Sequence, residues 1–113
     1  MDRFQTDSEE LAWLVGLIEG EGSIGYSKGS IRLEIGSTDE DTVRRAASFL
    51  GSGVIGPYQY RQRDKPFFKT VLYGHGITEM LMKVYPHMSD HRKSQIRDAL
   101  TAKLADRKKE ATV

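Results

Sequence analysis

Cysteine is absent from the 113 residues, which excludes disulfides and thiolate metal sites and permits a reducing compartment. Long apolar runs are also missing. No stretch approaches the roughly 20 residues of a membrane span. The polar start, Met1-Asp2-Arg3-Phe4, lacks the apolar core of a signal peptide. The expectation is a protein of the cytoplasm, in a bacterial or phage-infected cell, or of an organelle, neither membrane-bound nor secreted. No segment is low-complexity and no sequence repeat is visible. The length fits one domain, residues 1–113, and leaves no room for a second. A domain this small buries only part of its apolar surface, so a partner subunit would add stability.

Charge of one sign is scarce overall, with a net of +1, but its distribution is uneven. Residues 1–57 carry 5 Lys and Arg against 10 Asp and Glu, whereas residues 58–113 carry 12 against 6. A basic half beside an acidic half suits a surface that meets an anion, and it equally suits a solvated surface with chance asymmetry.

Hydrophobic periodicity supplies the elements. Thr6 or Asp7 can cap a helix, with Glu9 or Glu10 closing a capping box. Leu11, Leu14, Val15, Leu17 and Ile18 then recur at helical spacing, placing a first helix at about residues 7–20. Residues 23–28 read as a short strand ending in a Lys28-Gly29 or Gly29-Ser30 turn. Ile31, Leu33 and Ile35 alternate with Arg32, Glu34 and Gly36, the period of a half-buried strand. Ser37 or Thr38 caps a second helix carrying Val43, Ala46, Ala47, Phe49 and Leu50. Gly51, Gly53 and Gly56 mark a loop. Residues 58–63 and 67–73 form a second hairpin across Asp64-Lys65-Pro66. A short helix, residues 77–84, stops before Pro86. A last helix starts at Ser89 or Asp90 and carries Ile96, Leu100 and Leu104, and the charged tail, residues 106–113, is expected to fray. The order is α-β-β-α-β-β-α-α, an α+β chain.

The most informative stretch is Leu14-Val15-Gly16-Leu17-Ile18-Glu19-Gly20-Glu21-Gly22. Ala12, Gly16 and Gly20 lie four apart and form a stripe of nearly bare backbone. Glycine inside a helix costs about 1 kcal/mol relative to alanine, so two of them imply close approach by another backbone. Glu19 and Glu21 crowd the negative end of the helix dipole, where acids are misplaced unless a cation joins them. Gly20 and Gly22 free the carbonyls around Glu21 to bend toward a ligand. A capped amphipathic helix with solvated glutamates is the plain alternative. Agreement between stripe, acids and the hairpin that follows favours a functional element.

Over these nine positions the sequence resembles the LAGLIDADG motif of homing endonucleases. Leu14, Gly16, Leu17, Ile18 and Gly22 match its letters, Glu19 and Glu21 stand for its two aspartates, Gly20 for its second alanine, and Val15 departs mildly. The element order is similar to the family's over nearly the whole chain. The resemblance implies the αββαββα endonuclease fold, with a saddle-shaped antiparallel sheet and its helices on one side. A single motif implies a homodimer whose motif helices pack side by side, with Ala12, Gly16 and Gly20 in the interface and Trp13 in the interface or core. It implies divalent-metal hydrolysis of both strands of a long, roughly palindromic double-stranded DNA target, with no small-molecule substrate, in the service of intron homing.

The family's site residues carry over by position. Glu21 is the metal-binding acid and Gly20 offers a carbonyl, both hard oxygen ligands suited to Mg²⁺, with Mn²⁺ able to substitute. Glu19 serves the helix end or interface. Ser37 matches a polar residue that orients water. Of His91, Arg92 and Lys93, which follow Pro86, Lys93 and then His91 are favoured to face the cleaved phosphate. Alternation aims Ser27, Ser30, Arg32 and Glu34 at DNA, with Gln59, Arg61 and Arg63 sharing a face of the third strand and Lys69 and Val71 outward on the fourth; Arg92 is added as a DNA contact. Tyr58 and Tyr60 are expected in the core or as support, and His75 and His87 as structural or exposed. A non-cleaving DNA-binding regulator or intron maturase on the same scaffold is the alternative. Presence of Glu21 ranks it below the nuclease. A purely structural or protein-interaction domain leaves the acids and the basic strands unexplained.

Overall fold

The computed structural model describes residues 7–112 except 60 and 63, with side chains from 8 to 108. Thr6, Tyr60 and Arg63, each singled out in the sequence, lie outside the described residues. Helix α1 (Asp7–Glu21) leads into strand β1 (Gly22–Ser27), then β2 (Ser30–Ser37) and α2 (Glu40–Leu50). Strands β3 (Val54–Tyr58) and β4 (Phe67–Tyr73) follow, then α3 (Ile77–Val84), a 3-10 turn (Tyr85–His87) and α4 (Asp90–Thr112). All neighbouring strands are antiparallel, in the order β1-β2-β4-β3, so the two hairpins join through β2 and β4 at the centre.

The helices cover one face of this sheet. Ile31, Leu33 and Ile35 of β2 are buried, and the register places Ile24 of β1 and Leu72 of β4 beside Leu33. Leu14 and Ile18 of α1, Ala46 and Leu50 of α2, Leu81 and Val84 of α3, and Ile96 and Ala99 of α4 complete one core. Arg32 and its cross-strand neighbours Gly25 and Tyr73 point the opposite way and are exposed. One buried face and one bare face is the usual condition of an antiparallel sheet with one-sided cover. Among the described residues no helix is long and apolar enough to cross a membrane.

Local chemistry explains most boundaries. Lys28 and Gly29 have φ of 52° and 82°, a two-residue turn with both centres left-handed, whose twist matches the strands it joins. Asp39, rather than Ser37 or Thr38, caps α2 by accepting from the Thr42 amide at 3.3 Å, while Ser37 remains in β2. Gly51 closes α2 in the left-handed conformation, its amide reaching the Ala47 carbonyl.

Two expectations need correction. The third strand is Val54–Tyr58, not residues 58–63, so Gln59 and Arg61 belong to the following loop. Edge pairing along β4 decides this: Val54 pairs with Thr70 and Ile55 with Lys69, despite the glycines around them, and buried Thr70 Oγ1 donates to the Gly53 carbonyl at 2.8 Å. Helix α4 runs to Thr112, through the segment expected to fray. Leu104 is 56% exposed and stands outside the core that Ile96 anchors.

Candidate nucleic-acid and metal site

Helix α1 passes into β1 without a loop. A Cβ on Gly22 would lie 2.7 Å from the Ile18 carbonyl oxygen and 2.9 Å from its Cα, so only glycine permits this junction as built. The consequence is positional: Glu21 sits at the corner between helix and sheet. It is exposed and makes no hydrogen bond or ion pair with another described residue. On the same helix Ala12, Gly16 and Gly20 are all exposed, and a Cβ on either glycine would meet nothing within 4 Å. Among the described residues nothing packs close over either glycine. Trp13 packs within the chain instead, stacked on Phe49 with ring centroids 6.2 Å apart and covered by the Arg45 guanidinium at 4.1 Å.

Glu19 does what its position on α1 did not foretell. Its carboxylate accepts from the Ser89 amide at 2.6 Å and from Ser89 Oγ at 3.0 Å, at the first turn of α4. Arg92 Nη2 donates to the Glu19 carbonyl at 3.2 Å, and Arg92 Nε lies 3.7 Å from Oε1. An acid at the wrong pole of its own helix thus sits at the right pole of another. Ser89 Oγ in turn accepts from the Arg92 amide at 3.3 Å, an N-cap. This docks the start of α4 on the end of α1 and brings His91 and Lys93 to the Glu21 end of the molecule. Arg92 is committed to Glu19 and to Gln95 Oε1 at 2.8 Å. Lys93 Nζ lies 5.6 Å over the Tyr85 ring, and His91 Nε2 lies 3.5 Å from Gln95 Nε2. Ser37 lies at the same end of the sheet, two residues past the Gly22–Ile35 pair. Its Oγ accepts from the Asp39 amide at 3.0 Å.

The bare sheet face forms a concavity of about 430 Å³ lined by Ser27, Ser30, Arg32, Tyr58, Lys69 and Tyr73, with Lys28 and Ile55 at its rim. Ser27, Ser30, Arg32 and Lys69 are the residues that alternation aimed there. Glu34 shares the face and pairs with Lys69 at 3.4 Å. Tyr58 stands on this face rather than in the core, its ring 5.4 Å from the Lys69 ammonium. Ile55 and Tyr73, 44% and 61% exposed, were missed. Extending the Lys69, Val71 alternation by one step would have found Tyr73. Gln59 is spent on the loop, donating to the Gln62 and Asp64 carbonyls at 3.1 and 2.7 Å, and Arg61 is exposed nearby. His75 and His87 are exposed.

No family model and no curated protein matches the sequence. Solved structures do. Two crystal structures of the homing endonuclease I-CvuI superpose with TM-scores of 0.62 and 0.61 at 19% and 18% identity. The fold is the LAGLIDADG homing-endonuclease fold. In each case 80% of this chain matches 63% of the I-CvuI chain, so the chain spans less than two thirds of those endonucleases. One holds I-CvuI with its target in the presence of calcium, and the other holds it with the I-CreI target in the presence of magnesium, the DNA not cleaved.

Among the described residues no cluster of three His, Cys, Asp or Glu side chains could hold a metal. One chain offers the free Glu21 carboxylate and the exposed Gly20 backbone, both hard oxygen donors of the kind Mg²⁺ prefers. Two such donors suit part of a divalent ion's coordination shell.

Proposed function

We propose that the chain is one subunit of a homodimeric homing endonuclease that hydrolyses both strands of a long, roughly palindromic double-stranded DNA target with Mg²⁺. The observation that carries this reading is the exposed Glu21 carboxylate at the end of an exposed Ala12, Gly16 and Gly20 stripe, with no partner for the carboxylate and nothing close over the glycines among the described residues. Two such helices packed stripe to stripe bring two Glu21 carboxylates together on a two-fold axis, and a two-fold protein calls for a two-fold target.

In this reading each half of the dimer lays its bare sheet face along the major groove. Arg32 and Lys69 supply positive charge, and Ser27, Ser30, Tyr58 and Tyr73 supply hydroxyl groups for base edges and phosphates. Ile55 offers an apolar contact for a thymine methyl group. Glu21 and the Gly20 carbonyl would hold the cation. Bound there, Mg²⁺ (with Mn²⁺ as a substitute) lowers the pKa of the attacking water and stabilises the leaving oxygen. Lys93, backed by His91, faces the cleaved phosphate and offsets its charge, and Ser37 orients water at that end of the sheet.

The test is a plasmid-nicking and linearisation assay on DNA that flanks the gene, with Mg²⁺, with Mn²⁺ and with EDTA. Cleavage in both metals and none in EDTA is expected. Sequence-specific binding with no cleavage in either metal would replace the nuclease by the regulator or maturase reading.

A further inference from the structure

Helix α4 accompanies β1 along its length. Its start is docked on Glu19, beside the Gly22 end of the strand. Gln95, Asp98 and Ala99 line a cleft together with Ile24, Gly25 and Tyr26. Further on, Lys103 Nζ donates to the Gly29 carbonyl at 2.7 Å, and the Tyr26 hydroxyl donates to Oδ2 of Asp106. The lengths agree. From Asp90 to Lys103 the helix rises about 20 Å, and from Gly22 to Lys28 the strand advances about 20 Å. Two fixed points that far apart, joined by a helix of more than three turns, make a rigid span.

The hairpin held at the far end needs holding. It projects Ser27, Lys28 and Ser30 into the sheet concavity, and Lys28 adopts a left-handed φ of 52° that favours Asn or Gly. Ser27, Lys28 and Gly29 are exposed. On the helix side the turn's flanks pack on the core through Ile31 and Tyr26, and the hydroxyl of Tyr26 and the carbonyl of Gly29 bind Asp106 and Lys103 of α4.

Resting on the DNA-cleaving reading above, we infer that the distal part of α4 is a strut that sets the position of the β1–β2 turn, and that Asp106 and Lys103 are positioning residues for base recognition in the outer part of each half-site. Neither residue faces the concavity, so neither touches DNA in this arrangement. Asp106 acts through Tyr26, and Lys103 acts through the Gly29 carbonyl. The turn stands about 20 Å from Gly22, or about six steps of 3.4 Å along a strand of DNA. The effect is therefore local to base pairs that far from the metal end.

Tyr26→Phe, Asp106→Ala and Lys103→Met are compared with the wild type. Tyr26→Phe removes a single oxygen and guards against a folding defect. Amide hydrogen exchange on the free proteins comes first, followed by selection from a randomised duplex pool in Ca²⁺, scored position by position. The variants are expected to exchange faster at residues 27–31 with α2 and β4 unchanged. They are expected to lose about tenfold of base preference at the outer positions, with inner positions held within about twofold. Unchanged exchange at the turn overturns the strut. So does preference that is unaltered, or that falls equally at every position, as it would for a general loss of stability. A wild type that enriches no sequence overturns the DNA-cleaving reading and the inference with it. A wild type that enriches a target while the variants match it overturns the inference alone.

Discussion

Gly22 and Glu21 are adjacent, and single atoms decide the fate of both. An alanine at position 22 would press on the Ile18 carbonyl and Cα, which are backbone and cannot swing aside. Gly22→Ala should therefore cost about 1–3 kcal/mol, seen as a fall in Tm of at least about 4 °C for a domain this size. Because the strain is relieved by moving the helix end, cleavage should drop further than DNA binding does. Glu21→Gln separates the two properties cleanly. It leaves the backbone alone and removes the carboxylate, so cleavage should fall by more than the roughly 100-fold that loss of an outer-shell metal partner brings. Gel shift in Ca²⁺ should give wild-type affinity. A Gln variant that still cuts with Mg²⁺ would remove Glu21 from the site.

Between elements, the junction of α1 with α4 is tied by side-chain hydrogen bonds. Glu19 satisfies the Ser89 amide and hydroxyl, and Arg92 answers with a bond to the Glu19 carbonyl. Loss of such a cap costs about 1 kcal/mol, a modest stability effect. Its positional effect is larger, since the same turn carries His91 and Lys93. Glu19→Ala should lower Tm slightly and kcat strongly, with DNA affinity little changed. The check is a double-mutant cycle with Ser89→Ala, which should be non-additive because both substitutions break one contact. The core behaves differently. Leu33→Ala, fully buried at the sheet centre, should cost about 2–5 kcal/mol and reduce every activity through folding alone.

At the scale of the molecule, two surfaces are built but unused by one chain. The first is the Ala12, Gly16 and Gly20 stripe. Sedimentation should give a dimer, and Gly16→Leu, which has ample room inside its own chain, should give monomer or aggregate without a matching loss of helix. A monomeric wild type that cuts both strands would sink the dimer. The second is the concave sheet face. Arg32→Ala and Lys69→Ala should each weaken binding, and a residue that meets phosphate should lower the salt slope by about one unit on all sequences. Arg32, exposed at mid-strand, is the better candidate for guanine readout, with relaxed preference at one base pair per half-site. Lys69 is already engaged by Glu34 and Tyr58 and is expected to meet phosphate. If both variants bind as the wild type does, this face does not meet DNA.

Sequence alone determined what depends on near neighbours in the chain. The period of Ile31, Leu33 and Ile35 placed β2 and its two faces, helical spacing placed α1, and Pro86 marked the stop after Val84. The nine-residue motif singled out Glu21 before any packing was known. Tertiary structure decided whatever depends on a distant partner. Val54 and Ile55 lie among glycines that read as loop, and only β4, more than ten residues on, makes them a strand. That shift left Gln59 and Arg61 in a loop, where period two has no meaning. Asp106 lies in a charged segment with no apolar pattern of its own, and its partner Tyr26 stands 80 residues away in the chain. Glu19 is the sharpest case. Its own helix makes it unfavourable, and the reason it is there arrives with Ser89 and Arg92, some 70 residues later, through contacts that no local pattern encodes.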